Sequence, residues 1–153
     1  MSLHQKIEQD FKEAFKAGDQ ARRLVLGMLK TALLNKAIEK KSKDEPLSDQ
    51  EIESIISSEV KKRRDAAIQY SGGGRLDLAA KEEAEVAMLV GYLPQQYTEE
   101  EIKKLVQEAI AQTGVTGEKD FGKAMSALAP RVKGRADGAM VARIVRACLN
   151  NKS

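Results

Sequence analysis

The sequence predicts an all-α protein: an N-terminal bundle of about four helices over residues 1–94, then a compact three-helix bundle over 95–153. Three observations carry this. Apolar residues recur at helical spacing along nearly the whole chain, and no stretch alternates apolar and polar residues long enough for a strand. Helix start and stop signals punctuate that pattern. Aromatics make up only 4% of 153 residues and Trp is absent, so the core falls to Leu, Ile, Val, Met and Ala, which suits helix-on-helix packing.

Ser2 with Gln5 forms a capping box, and Leu3, Ile7, Phe11, Ala14 and Phe15 then share one helical face. Gly18 ends that helix and Asp19 caps the next. The second helix is expected to run to about Lys41 with Leu24, Met28, Leu29, Ala32 and Leu33 as its inner stripe. The polar segment 42–46 breaks the pattern. Ser48 with Glu51 opens a third helix to about Tyr70, on which Ile52, Ile56, Val60, Ala67 and Tyr70 fall within a narrow arc. Gly72, Gly73 and Gly74 end it. Asp77 is the expected cap of a fourth helix carrying Leu78, Ala84, Met88 and Leu89, which stops near Leu93 because Pro94 disfavours helix at the residue before it.

Leu93-Pro94-Gln95-Gln96 is the expected domain boundary, a helix breaker followed by two polar amides. Thr98 with Glu101 opens a fifth helix with Ile102, Leu105, Val106, Ala109 and Ile110, closed by Gly114. A sixth starts near Asp120 with Phe121, Ala124, Met125 and Leu128, and Pro130 is expected to kink or shorten it before Gly134. Asp137 caps a seventh with Met140, Val141, Ile144, Val145, Cys148 and Leu149. The second bundle is at the short end for independent stability, so it either docks on the first or moves about the joint.

No apolar run approaches the ~18 residues that span a bilayer, so no membrane partner is expected. The N-terminus is acidic and amphipathic where a signal peptide needs an apolar block. The lone Cys148, between Val145 and Leu149, reads as a small core residue and fits a reducing cytosol, so the expected location is cytoplasmic. Catalytic signals are poor. The one histidine, His4, sits in the first helical turn and reads as a surface residue rather than a base. Ser58-Glu59-Val60-Lys61 matches a Ser-x-x-Lys pattern without its companion motifs. One Cys and one His give no zinc framework. Glu82, Glu83, Glu85 and Glu99, Glu100, Glu101 read as solvated helix surface. Gly72-Gly73-Gly74-Arg75 follows a helix and lacks phosphate-loop spacing. No cofactor, metal site or catalytic residue is expected.

Charge is more informative. Residues 1–94 carry 16 Lys+Arg against 16 Asp+Glu, and 95–153 carry 10 against 7, so the second part holds the whole net charge of +3. Lys123, Arg131, Lys133, Arg135, Arg143, Arg146 and Lys152 face a single acid, Asp137, within 121–153. Arg131-Val-Lys133-Gly134-Arg135 is the stronger constellation: cations flank a glycine beside the free N–H groups that open the last helix, as phosphate binding needs. Asp137 as the cap competes for those N–H groups. Lys61-Lys62-Arg63-Arg64 spreads around more than a helical turn. Arg63 shares the arc of Ile56, Val60 and Ala67 and is expected to snorkel or pair with a carboxylate. Lys61, Arg64 and Arg75 remain for a ligand, or belong to a solvated helix with a Glu59–Arg63 pair.

Tyr92-Leu93-Pro94-Gln95-Gln96, Asp120-Phe121-Gly122-Lys123-Ala124-Met125 and Lys133-Gly134-Arg135-Ala136-Asp137-Gly138 resemble the signature blocks of YqeY-type bacterial proteins, with Arg64-Asp65 and Arg75-Leu76-Asp77-Leu78 also fitting. The resemblance covers essentially the whole chain in order. It is similar in turn to the C-terminal tail of the B subunit of glutamine-dependent aspartyl/glutamyl-tRNA amidotransferase. What the resemblance implies is an all-α fold and an association with tRNA, with Gly122, Lys123, Met125, Lys133, Gly134, Ala136 and Asp137 as matching positions. A carbon–nitrogen ligase label with glutamine as amide donor comes by association alone, because the chain has no catalytic arrangement to go with it.

The expectation is a tRNA-binding or tRNA-enzyme accessory module, not catalytic alone. Its contacts are Lys123, Arg131, Lys133, Gly134, Arg135 and Arg143, extended by Lys61, Arg64 and Arg75. Its partners are tRNA or another structured RNA, and a tRNA-charging or amidating enzyme. The alternatives are a helical protein–protein adaptor that ignores RNA, and the amide-transferring enzyme.

Overall fold

In the computed structural model, which describes residues 1–40, 45–115 and 117–150, the described chain is helical without a strand. Its α-helices are α1 (Leu3–Ala17), α2 (Gln20–Glu39), α3 (Asp49–Gly72), α4 (Leu76–Val90), α5 (Glu99–Thr113), α6 (Phe121–Val132) and α7 (Gly138–Asn150), with a short 3-10 turn, Glu118–Asp120, ahead of α6. The chain falls into two compact units, Met1–Leu93 and Pro94–Ser153. Lys41, where the second helix was expected to end, residues 42–44 of the polar break, and Lys152 lie outside the described residues.

In the first unit Ile7 of α1, Val25, Leu26, Leu29 and Leu33 of α2, Ile52, Ile56 and Val60 of α3, and Leu89 of α4 share one core. The Ser2–Gln5 capping box is complete, each side chain bonding the other's backbone. The Ser48–Glu51 pair makes only half of one. Ser48 accepts from the Glu51 N–H, while the Glu51 carboxylate turns to Lys40 Nζ at 2.8 Å.

Four sequence expectations change here. Leu24 and Met28 are not inner-stripe residues of α2 but lie on its exposed face. That helix is apolar on both sides, so periodicity alone does not select the buried one. Phe15 leaves the α1 core face and is capped by Arg23, whose guanidinium carbon lies 5.4 Å from the ring centre. Asp77 is not the cap of α4. The helix begins a residue ahead of it, with Arg75 in the cap position and no side-chain cap bond. Ala84 is exposed, and Ala79 is buried on α4 instead.

The second unit packs Ile102, Val106, Ala109 and Ile110 of α5 against Ala124 and Leu128 of α6 and Val141, Ile144, Val145 and Leu149 of α7. Cys148 is half-buried against that core. The Thr98–Glu101 capping box is complete. α6 runs through Pro130 and closes at Val132. Gly134 then takes φ +74, a left-handed conformation that strains a side-chain-bearing residue, and so lets the chain turn sharply into α7.

Candidate nucleic-acid interface

The corner between α6 and α7 is built by two stretches about forty residues apart. The Arg135 C=O accepts from the Tyr97 N–H at 2.8 Å. The Arg135 side chain donates from Nε to the Gln95 C=O at 2.9 Å and from Nη1 to the Tyr97 hydroxyl at 2.7 Å. Its guanidinium carbon lies 3.8 Å from the Tyr97 ring centre. Gln96 Nε2 donates to the Gly134 C=O at 2.7 Å and to the Pro94 C=O at 2.9 Å. Residues 94–97 and 134–135 therefore form one clasp, and Arg135 is its centre. The arginine meets neutral acceptors and a ring face, so these bonds hold its position without cancelling its charge.

Around this corner the predicted cations divide by what they touch. Arg131 reaches Glu108 at 2.9 Å and Arg143 reaches Glu99 at 3.1 Å, all four side chains being well exposed. Glu99 and Glu108 are nine residues apart on α5, two and a half turns, so the two arginines lie on opposite flanks of that helix. Lys133 and Lys123 are exposed, with no acidic partner against either among the described residues. Lys123 belongs to the first turn of α6 and Lys133 follows its end, so they mark opposite ends of a helix about 18 Å long. Asp137 does occupy the start of α7, accepting from the Ala139 N–H at 3.3 Å, as its cap role requires.

Two features escaped the sequence reading. Arg146 lies over the Phe121 ring, 4.4 Å from its centre, which puts a cation beside the α6 turn that carries Lys123. Its register on α7, three residues past Arg143, was an available signal. Arg135 as a clasp was not foreseeable, since its partners are remote in sequence. Glu101, across the α5 cap, has its carboxyl held below the ordinary range by hydrogen bonds from Thr98, with Arg135 adding a smaller charge effect.

In the first unit Lys61 is exposed on α3, and Arg64 is half-buried and engaged within the protein. Arg75 pairs with Asp77 at 3.4 Å, and that bond draws the Asp77 carboxyl below its usual range. Arg63 is buried: Nη1 meets Glu59 at 2.8 Å, Nε lies 3.9 Å from Glu85 of α4, and Nη2 reaches the Met28 sulfur at 3.9 Å. It ties α2, α3 and α4 together. A cavity of about 390 Å³ includes Lys6, Asp10, Arg22 and Tyr92. There Asp10 is already committed, accepting from the Tyr92 hydroxyl at 2.6 Å and pairing with Arg22 at 3.5 Å. A second cavity of about 400 Å³ is mainly apolar, walled by Leu33, Leu34, Ala37 and Leu47. Among the described residues no three His, Cys, Asp or Glu side chains gather as a metal site, and no helix is long and apolar enough to cross a membrane.

The two blocks joined in the clasp are the outer two of the three signature blocks. A family model described as Yqey-like protein matches residues 4–149. The chain belongs to the YqeY-like family. It is also 31% identical over 87 residues to a fungal relative from Eremothecium gossypii, named Altered inheritance of mitochondria protein 41, mitochondrial. The aligned stretch is 57% of this chain and 46% of that relative, so the YqeY-like chain spans about half the length of the protein it matches.

Proposed function

We propose that this YqeY-like protein binds structured RNA, tRNA above all, through the second unit, as an accessory module in the cytoplasm rather than as a catalyst. The observation that carries the reading is the state of its cations. Among the described residues Lys123 and Lys133 face no carboxylate, and Arg131 and Arg143 sit in exposed ion pairs worth ~0–1 kcal/mol, which a phosphate can displace. Arg135 adds charge from a fixed position, and Gly134 lets the backbone approach a polyanion. Lys61, Arg64 and Arg75 extend the proposal to the first unit. Few aromatics are available to stack bases, which favours recognition of shape over sequence. The resemblance to an amidotransferase tail supports tRNA as the RNA, and a tRNA-charging or amidating enzyme as the protein that shares it.

The test is binding of labelled total tRNA across a salt series. Expected is micromolar or tighter binding with a steep salt slope. Lys123→Glu with Lys133→Glu should weaken it and lower the slope by about one for each phosphate no longer neutralised. These two lysines are the better probes, because Arg135→Glu would also open the clasp. No binding at low salt, or binding indifferent to both lysines, sinks the reading. The adaptor alternative draws on a separate observation, the exposed apolar face of α2.

A further inference from the structure

α2 is apolar on two opposite faces. Val25, Leu26, Leu29 and Leu33 fill the first core, while Leu24, Met28, Leu34 and Ile38 on the other side are 55%, 58%, 61% and 64% exposed. At 100° per residue those four, with Thr31 at the centre, fall within an arc of about 120° along some 21 Å of helix. Gly27, Thr31 and Asn35 fill the rest of the arc, so it holds no ionisable side chain. The charged residues of the helix all lie outside this arc, and a second apolar face of this size on a helix marks a contact surface.

We infer that this face is covered by the same face of a second copy, the two α2 helices crossing antiparallel about a two-fold axis at Thr31. The spacing of the stripe is what such an axis needs, since an isologous contact pairs each residue with a different one and returns the pairing. Leu24 and Ile38 stand seven residues either side of Thr31, and Met28 and Leu34 stand three either side. Antiparallel, Leu24 of one copy meets Ile38 of the other. Leu34 and Met28 share a level but lie on opposite edges of the stripe. Each Leu34 therefore comes nearest Gly27 and each Met28 nearest Asn35, one residue off level, and large side chains face small or slender ones.

The charge pattern agrees, because an uncharged stripe can meet itself without opposing like charges, and interface centres are depleted in charge. Thr31, the residue on the axis, donates its hydroxyl to the Gly27 C=O of its own helix at 3.1 Å, so the crossing buries no unpaired hydroxyl. Phe15, 62% exposed under Arg23 at one end of α2, extends the patch. Five such side chains at roughly 100 Å² each give about 500 Å² per copy, short of the ~800 Å² per partner of a standard interface until the rim is added. The dimer is therefore one that dissociates at low concentration.

Sedimentation equilibrium of the full chain from about 1 to 200 μM should show the average mass rising toward twice that of the monomer. Leu34→Asp, at an exposed helical position, should shift that rise by at least tenfold in concentration with unchanged helical circular dichroism. The axis is tested in a Cys148→Ser background with a short bis-maleimide linker. Thr31→Cys should cross-link to itself, Leu24→Cys should not, and a mixture of Leu24→Cys with Ile38→Cys chains should. A mass that stays monomeric means a different occupant, whether another protein or another part of this chain, and overturns the inference. So does a dimer indifferent to Leu34→Asp, or one in which Leu24→Cys links to itself. None of these outcomes bears on the tRNA test, whose two lysines, Lys123 and Lys133, belong to the second unit.

Discussion

The two units of the molecule each immobilise an arginine, and they do it in opposite ways. Arg63 in the first is 7% exposed, locked between Glu59 of its own helix and Glu85 of α4. Arg135 in the second stays half-exposed on the Tyr97 ring with a carbonyl and a hydroxyl as acceptors. A charge under the surface needs countercharge, because desolvation is costly, and the pair is then spent on holding helices together. A charge at the surface can be fixed by neutral groups and keep its field for a visitor.

The largest expected effect comes from breaking the buried arrangement. Arg63→Ala removes the buried partner of Glu59 and Glu85, leaving Glu59, among the described residues, only the exposed Lys62 at 3.7 Å. It should destabilise the first unit by about 3–5 kcal/mol, with Arg63→Met costing less because its stem keeps the packing. Hydrogen exchange during urea titration reads each unit separately, and equal losses in both units would dissolve the contrast. Next is the clasp: Arg135→Ala should cost the second unit about 1–2 kcal/mol, and Arg135→Lys should not restore it, since an ammonium lacks the planar fork. A full rescue by Lys would mean that charge alone matters there.

Smaller still is the Tyr92–Asp10 bond in the first unit. Burial, then the Asp10 hydrogen bond and charge, raise the Tyr92 phenol well above its usual value. The unfolded chain loses that proton near pH ~10 while the folded one keeps it, so stability should fall as pH climbs past that point. Tyr92→Phe should cost about 1 kcal/mol at neutral pH and flatten the alkaline decline. The smallest effect is at Glu101. Its depressed carboxyl contributes stability above the ordinary glutamate range that is lost as pH falls through the folded value. Glu101→Gln should make the acid limb of the second unit's melting curve slightly shallower, and an unchanged limb would remove the cap's charge from the account.

Legibility in the sequence followed distance along the chain. Ser2 with Gln5, Thr98 with Glu101, Gly18, Gly114 and the break at Pro94 are local chemistry, and they placed most helix ends within a residue or two. The inner face of α2 was not legible, because Leu24 and Met28 compete with Val25 and Leu26 on equal terms until α1 and α3 choose between them. At the candidate interface the sequence marked which residues are cationic but not what each one touches. Glu108, Glu99 and Tyr97 lie 23, 44 and 38 residues from the arginines they hold.

The bond between Tyr92 and Asp10 spans 82 positions of sequence. On a ribosome adding ~5–20 residues per second, the first helix would wait roughly 4–16 s for that partner to be made. Within its unit α1 is made before the other helices, and the Tyr92 partner of Asp10 is among the last pieces of that unit to arrive. Its apolar face is sheltered sooner, by α2 and then by Ile52, Ile56 and Val60 of α3, so a chain stalled before residue 49 would present that face to chaperones.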